Sequence, residues 1–221
     1  IAAVLEHING TRHEHIVTIE DPIEFLYVEK KCLINQRELG INVSDFALAL
    51  RALWREDPDV VLIGEMRDAT TFRAAMQAAD TGHLVFGTIH ATSAAQTIER
   101  VLSRFPEGER AGIRQNMVFN LQAILCQKLL RSNAEGVQRV PAVEVLVSTP
   151  IVRKLITENR DVELNEVIRG GDAGMLSFTQ SLYRLFQQRL IDHETGRQAA
   201  PSIEEFEMSL RGIRQSQRAV L

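Results

Sequence analysis

Two short apolar runs in this chain each end on a residue able to do chemistry. Val60, Val61, Leu62 and Ile63 lead through Gly64 to Glu65, and Leu84, Val85 and Phe86 lead through Gly87, Thr88 and Ile89 to His90. A third run, H-I-V-T-I at 15–19, passes directly into Glu20, Asp21, Pro22, Ile23 and Glu24. Carboxylates facing a common crevice suit activation of water and binding of magnesium, usually through the metal's own waters. A histidine can sense or neutralise charge developing on a phosphoryl group. Together these are the tools of nucleotide hydrolysis, where catalysis is mostly positioning and electrostatics. Taken alone, the acidic turn also fits a solvated surface, because crowded acids repel unless a cation or hydrogen-bond donor compensates.

The elements that must position these groups can be read from periodicity. Unbroken runs of β-branched and apolar residues fit strands buried on both faces, as in a parallel sheet. Between the Glu65 and His90 runs, residues 69–80 space Phe72, Ala75, Met76 and Ala79 at helical intervals, which predicts a βαβ unit. Ligands of such open sheets bind beyond the carboxyl ends of the strands. Glu65 and His90 are therefore expected to project toward one shared site, with His83 at the opposite end of its strand. Pro22 closes the first strand, since it has no N–H for a central ladder.

Elsewhere, residues 1–8 read as a helix stopped by Asn9-Gly10, and 25–37 as extended or hairpin structure. Ser44-Asp45 caps a predicted helix over 46–56, whose Arg51 and Arg55 sit four apart on one face. That pair fits either surface solvation or a phosphate contact. A helix from Thr92-Ser93 to about Arg104 and a longer one over 107–131 follow, then a strand over 139–147. Thr149-Pro150 opens a helix, and further helical patterns lie at 163–168, 177–190 and 201–213. The expected boundary falls at 148/149, with an α/β core before it and an all-helical piece after it.

With 221 residues the chain can bury one good core, or a core plus a small helical subdomain. A net charge of -4 gives no reason to expect nucleic acid as the main partner. The two cysteines, Cys32 and Cys126, lie far apart and in apolar or helical contexts, which argues against a disulfide framework or a cysteine-built metal site. No apolar stretch approaches the roughly 20 residues a membrane span needs. Neither G-x-x-x-x-G-K-[S/T] nor G-x-G-x-x-G occurs, so the chain offers no phosphate-cradling glycine loop. Ile1 begins already in helical register, which suggests a fragment.

Four motifs in order now carry a resemblance: T-I-E-D-P-I-E (18–24), N-Q-R-E (35–38), W-R-E-D-P-D-V-V-L-I-G-E-M-R-D (54–68) and T-G-H-L-V-F-G-T-I-H (81–90). The chain resembles the secretion ATPase superfamily over nearly its whole length, and within it the type IV pilus retraction ATPases, the PilT-like branch. The resemblance implies an α/β, RecA-like P-loop NTPase core with a mainly parallel sheet over 1–148, truncated before the P-loop. An all-helical C-terminal subdomain over 149–221 follows. It also implies ATP and Mg2+ as cofactors, a homo-hexamer with nucleotide between adjacent subunits, and a cytoplasmic place at the pilus base, peripheral to the inner membrane. A pilus inner-membrane platform protein and a paralogous motor ATPase are the implied partners.

Residue by residue, the resemblance makes Glu24 of the Asp box the acid that polarises attacking water, supported by Glu20 and Asp21. Glu65 matches the Walker B acid near magnesium, with Gly64 where many other P-loop enzymes place an aspartate. His90 and His83 match the His box, His90 near the γ-phosphate and His83 at a subunit contact or in a structural role. Arg51 and Arg55 join the nucleotide-binding candidates. Pro150, Ile151, Val152, Arg153, Lys154, Leu155 and Ile156 are similar to a helix needed for pilus retraction, hence a mechanical coupling helix; as a lone pattern it is an amphipathic helix. Trp54 stands where a small or aliphatic residue is more usual.

The pilus-assembly or type II secretion branch is the nearest alternative, but those chains generally carry a four-cysteine zinc motif and this one has no C-x-x-C. A non-hydrolysing accessory subunit is a second alternative, disfavoured by the intact acids and His90. A DNA translocase is a third, disfavoured by charge. The polypeptide as given is expected to bind ATP poorly and not to hydrolyse it, whereas its full-length parent does both. Magnesium-dependent turnover by residues 1–221 alone would overturn that expectation.

Overall fold

Four short parallel strands carry the first part of the chain: β1 (His15–Glu20), β2 (Leu33–Glu38), β3 (Val60–Ile63) and β4 (Leu84–Gly87), in the order β2-β1-β3-β4. The structure, a computed structural model, describes residues 1–53 and 55–212, the side chain of Ala47 excepted. Trp54 and the expected helix end at Ile213 lie outside the described residues. Around the sheet lie α1 (Ala2–Thr11), α2 (Phe46–Leu53) and α3 (Ala69–Asp80). Val17, Ile19, Val61 and Ile63 pack against Ala49, Leu50 and Leu53 of α2 and Ala75 of α3. Ile16, Val60 and Leu62, one residue out of step, pack against Leu5 and Ile8 of α1 and against Cys32. Both faces of β1 and β3 are thus covered, which is why their sequences run apolar without alternation.

The connections give the sheet its crevice. The chain passes from β1 to β2 on one side, returns to β3 on the other side of β1, and moves outward to β4. The direction of winding reverses between β1 and β3, and their carboxyl ends flank the place where such sheets bind ligands. Residues 25–37 do not form a hairpin: β2 runs parallel to β1, pairing His15 with Leu33 through Glu20 with Glu38. Helix α1 also continues past Asn9-Gly10 to Thr11. Asn9 is buried, its amide donates to the Val28 carbonyl at 2.8 Å and its oxygen accepts the Lys30 N–H at 3.0 Å, so a residue expected as a stop instead pins the loop before β2.

Contacts divide the chain into two compact units, one of Ile1–His90 with Arg104–Glu107, the other of Ala91–Ser103 and the chain from Gly108 onward. The second contains α4 (Ala94–Leu102), most of α5 (Glu107–Asn120), a hairpin of β5 (Ala123–Arg131) and β6 (Arg139–Val147), and helices α6 (Pro150–Thr157), α7 (Leu164–Gly170), α8 (Phe178–Gln187), α9 (His193–Ala199) and α10 (Ile203–Leu210). The division at 148/149 follows the last strand, whereas the compact units part after His90 because β6 packs against α8 and α4. The expected helix over 107–131 is corrected: it ends at Asn120, and Ala123–Arg131 pairs antiparallel with β6. Burial there alternates, Ile124 and Cys126 inward and Leu125 and Leu129 outward. The leucines and isoleucine at 121–129 satisfy a helical and a two-residue period alike, and pairing with β6 decides between them.

Inside this unit one carboxylate serves two helices. Buried Glu144 of β6 accepts the Ala94 N–H at 2.8 Å at the start of α4, and the Phe178 N–H at the start of α8 bonds to it as well. Burial pushes its pKa up, against those two amides and the charge of Lys128. Glu144→Ala strands both amides and is expected to destabilise the chain by roughly 2–4 kcal/mol in urea denaturation. Since its folded pKa is raised, the stability Glu144 contributes is fully present below the ordinary glutamate range and lost as pH rises through the raised value. Glu144→Gln is therefore expected to flatten the pH dependence of the urea midpoint over that window.

Candidate active site

A close approach of two backbones builds the site. The Gly64 N–H donates to the Ile19 carbonyl at 2.7 Å, and a Cβ at Gly64 would lie 3.0 Å from Glu20 Cα and 3.1 Å from the Ile19 oxygen. Only glycine lets the end of β3 lie this near the end of β1. Beyond the strands, the Thr88 hydroxyl donates to the Gly64 carbonyl and the Met66 N–H to the Thr88 carbonyl at 2.9 Å. The Met66 side chain lies against Gly87 and the core behind the sheet. In this extended stretch Glu65 and Arg67 consequently share the other side.

There the groups converge. Glu65 Oε1 lies 3.3 Å from His90 Nε2, and its Oε2 accepts from Arg67 Nε at 2.7 Å and Nη2 at 2.6 Å. Arg67 Nη1 reaches Asp21 Oδ2 at 3.3 Å. The hydrogen bond from Arg67 holds the Glu65 carboxyl below the usual carboxylate range; the charges of Arg67, His90 and Arg104 act the same way and outweigh burial. At neutral pH Glu65 is thus a fixed negative charge rather than a proton shuttle. Glu20 turns inward: it is buried, its Oε1 accepting from the Thr18 hydroxyl at 2.6 Å and from Gln36 Nε2 at 3.3 Å.

Of the other predicted residues, His83 lies at the opposite end of its strand from this cluster, and Glu24, Arg51 and Arg55 are exposed. Glu24 is exposed in the segment after β1, where the neighbouring Ile23 N–H is held by Glu38 at 3.1 Å. His83 sits at the amino end of β4, its Nδ1 3.0 Å from the Ala78 carbonyl and 3.1 Å from Thr81 Oγ1, tying that strand to the end of α3. Arg51 on α2 and Arg55 just beyond it are exposed. Among the described residues no three histidine, cysteine, aspartate or glutamate side chains form a metal cage. Magnesium needs none, because it is commonly held by one or two carboxylates, phosphates and water. Glu65 at the rim, with Asp21 beside Arg67, is a donor set of that kind.

The family model for type II/IV secretion system proteins matches residues 1–194. The chain belongs to the type II/IV secretion system protein family. It is PilT-like: it is 45% identical over 207 residues to the type IV pilus retraction ATPase PilT of Pseudomonas aeruginosa, covering 93% of this chain and 60% of that protein. It is 47% identical over 205 residues to a twitching motility protein of Neisseria gonorrhoeae, covering 92% of this chain and 54% of that one. The crystal structure of the pilus retraction motor PilT with bound ADP superposes with a TM-score of 0.84 at 42% identity, covering 93% of this chain and 58% of that one. The chain therefore spans little more than half the length of the relatives it matches. No helix among the described residues is long and apolar enough to cross a membrane.

In this secretion-system family member, α6 is held firmly on one side. Val152, Leu155 and Ile156 are fully buried, Arg153 and Lys154 are exposed, Ile151 is half-buried and Pro150 occupies the first turn. Arg114 of α5 donates to the Ile156 carbonyl at 3.0 Å while its fork grips Asp161 at 2.6 and 2.8 Å, which ties down the end of the helix. Arg67 is the site residue that sequence reading missed. Its signal was present: two positions after Glu65 in an extended segment places it on the same side.

Proposed function

We propose that residues 1–221 belong to a motor ATPase that couples ATP hydrolysis to retraction of type IV pili, as in twitching motility. The observation that carries this reading is the meeting of Glu65, His90, Arg67 and Asp21 at the β1 and β3 carboxyl ends of a PilT-like chain. Glu65 fixes a negative charge where the waters of a nucleotide's metal would sit, and His90 lies beside it to meet charge on the terminal phosphate. When bound, magnesium supplies neutralisation of the phosphates. Glu24, exposed three residues after Asp21, is the proposed acid for orienting attacking water, and buried Glu20 supports the end of β1. His83 is proposed to act at a contact with a neighbouring subunit of a homo-hexamer, and Arg51 and Arg55 to support nucleotide binding. Through its exposed Arg153 and Lys154, α6 is proposed as the coupling helix. The partners in this reading are an inner-membrane platform protein and a paralogous motor, at the cytoplasmic base of the pilus, with no nucleic acid.

Complementation tests it. Full-length protein is expected to restore pilus retraction to a retraction-deficient cell, and the Glu24→Gln and Glu65→Gln variants to fail. Wild-type retraction by both variants would remove the catalytic assignment.

A further inference from the structure

Arg67 is engaged in a way that bears on how the site responds to ligand. Its Nε and Nη2 grip one oxygen of Glu65 and its Nη1 reaches Asp21, so a single guanidinium serves two carboxylates. The side chain is nonetheless 57% exposed, open to an approaching anion. Its backbone is fixed on both sides: the Met66 N–H bonds to Thr88, and Asp68 caps α3 by accepting the Thr71 N–H at 2.8 Å and hydroxyl at 2.9 Å. Movement is thereby confined to the side chain. Glu65 and Asp21 would otherwise repel a polyphosphate, and a guanidinium fork pairs with phosphate as readily as with carboxylate.

Resting on the nucleotide reading above, we propose that Arg67 is a phosphate-operated latch: it clamps Glu65 to Asp21, and an arriving polyphosphate draws the guanidinium away and frees Glu65. The side chain exchanges partners while the main chain stays in place. No covalent bond is made or broken, and Glu65 becomes free for the nucleotide's metal only when phosphate is there.

The test uses full-length protein and Mg2+-free ATP in EDTA, with affinity measured by calorimetry, so that neither metal nor turnover enters. Arg67→Ala is expected to weaken binding about tenfold, the scale of a lost charge-assisted hydrogen bond. Arg67→Lys, which keeps the charge but not the fork, is expected to fall between, and stands in for the alanine variant if that one fails to fold. Asp21→Asn releases one end of the clamp and is expected to tighten binding about threefold or more. In the Arg67→Ala background most of that gain is expected to vanish, because there is no latch left to release. An equal gain from Asp21→Asn in both backgrounds would reflect simple relief of repulsion and overturn the latch while leaving nucleotide binding intact. Failure of the wild type to bind ATP or ADP at all would overturn the nucleotide reading and the latch with it.

Discussion

Glu65→Gln is expected to lower kcat for ATP by about two to three orders of magnitude in the full-length protein, with KM changed by no more than roughly threefold. The substitution preserves shape and one acceptor oxygen, so the path from Gly64 to Asp68 and its bonds to Thr88 remain. What disappears is a negative charge that Arg67 and His90 hold ionised. A group whose contribution is electrostatic acts most on the transition state, where charge redistributes, and least on ground-state binding. Steady-state turnover at saturating magnesium and ATP measures this. A kcat within fivefold of wild type would mean that Glu65 has no part in the chemistry.

Gly64→Val is expected to cost about 1–3 kcal/mol of stability and, separately, about a hundredfold in kcat/KM. The added carbons meet Glu20 Cα and the Ile19 carbonyl, which are backbone atoms of a central strand and cannot swing aside. Relief requires the ends of β1 and β3 to part, which carries Asp21 away from Arg67 and Glu65. Gly87 supplies the control. A Cβ there meets the Cε and Sδ of Met66 at 2.5 and 2.7 Å, the far end of a flexible side chain that can change rotamer. Gly87→Ala is expected to stay within about 1 kcal/mol of wild type in urea denaturation, with activity largely kept. Equal effects at the two glycines would remove the close-approach argument.

Much of the site was legible because its parts are local. The apolar runs ending in Glu20, Glu65 and His90 form β1, β3 and β4 and their carboxyl ends; Phe72 and Ala75 lie on the buried side of α3, and Ser93 and Ser177 cap α4 and α8 by accepting from Gln96 and Gln180. Each depends on residues within a few positions, where periodicity and capping chemistry act. Even the position of Arg67 beside Glu65 follows from two-residue alternation.

The rest required partners distant in sequence. Ala123–Arg131 reads equally as helix or strand until Arg139–Val147 lies beside it and supplies its hydrogen bonds. Glu20 and Asp21 are chemically alike neighbours, yet one is buried under Thr18 and Gln36 and the other meets Arg67, because adjacent residues of an extended chain face opposite ways and only packing says which way is in. Gly64 shows no special backbone angle; its necessity comes from Ile19 and Glu20, forty-odd residues earlier. The sequence alone determined which elements form and which reactive residues end them, since those are short-range effects. Tertiary structure decided which of those residues meet, since burial and hydrogen bonding between distant segments have no local signature.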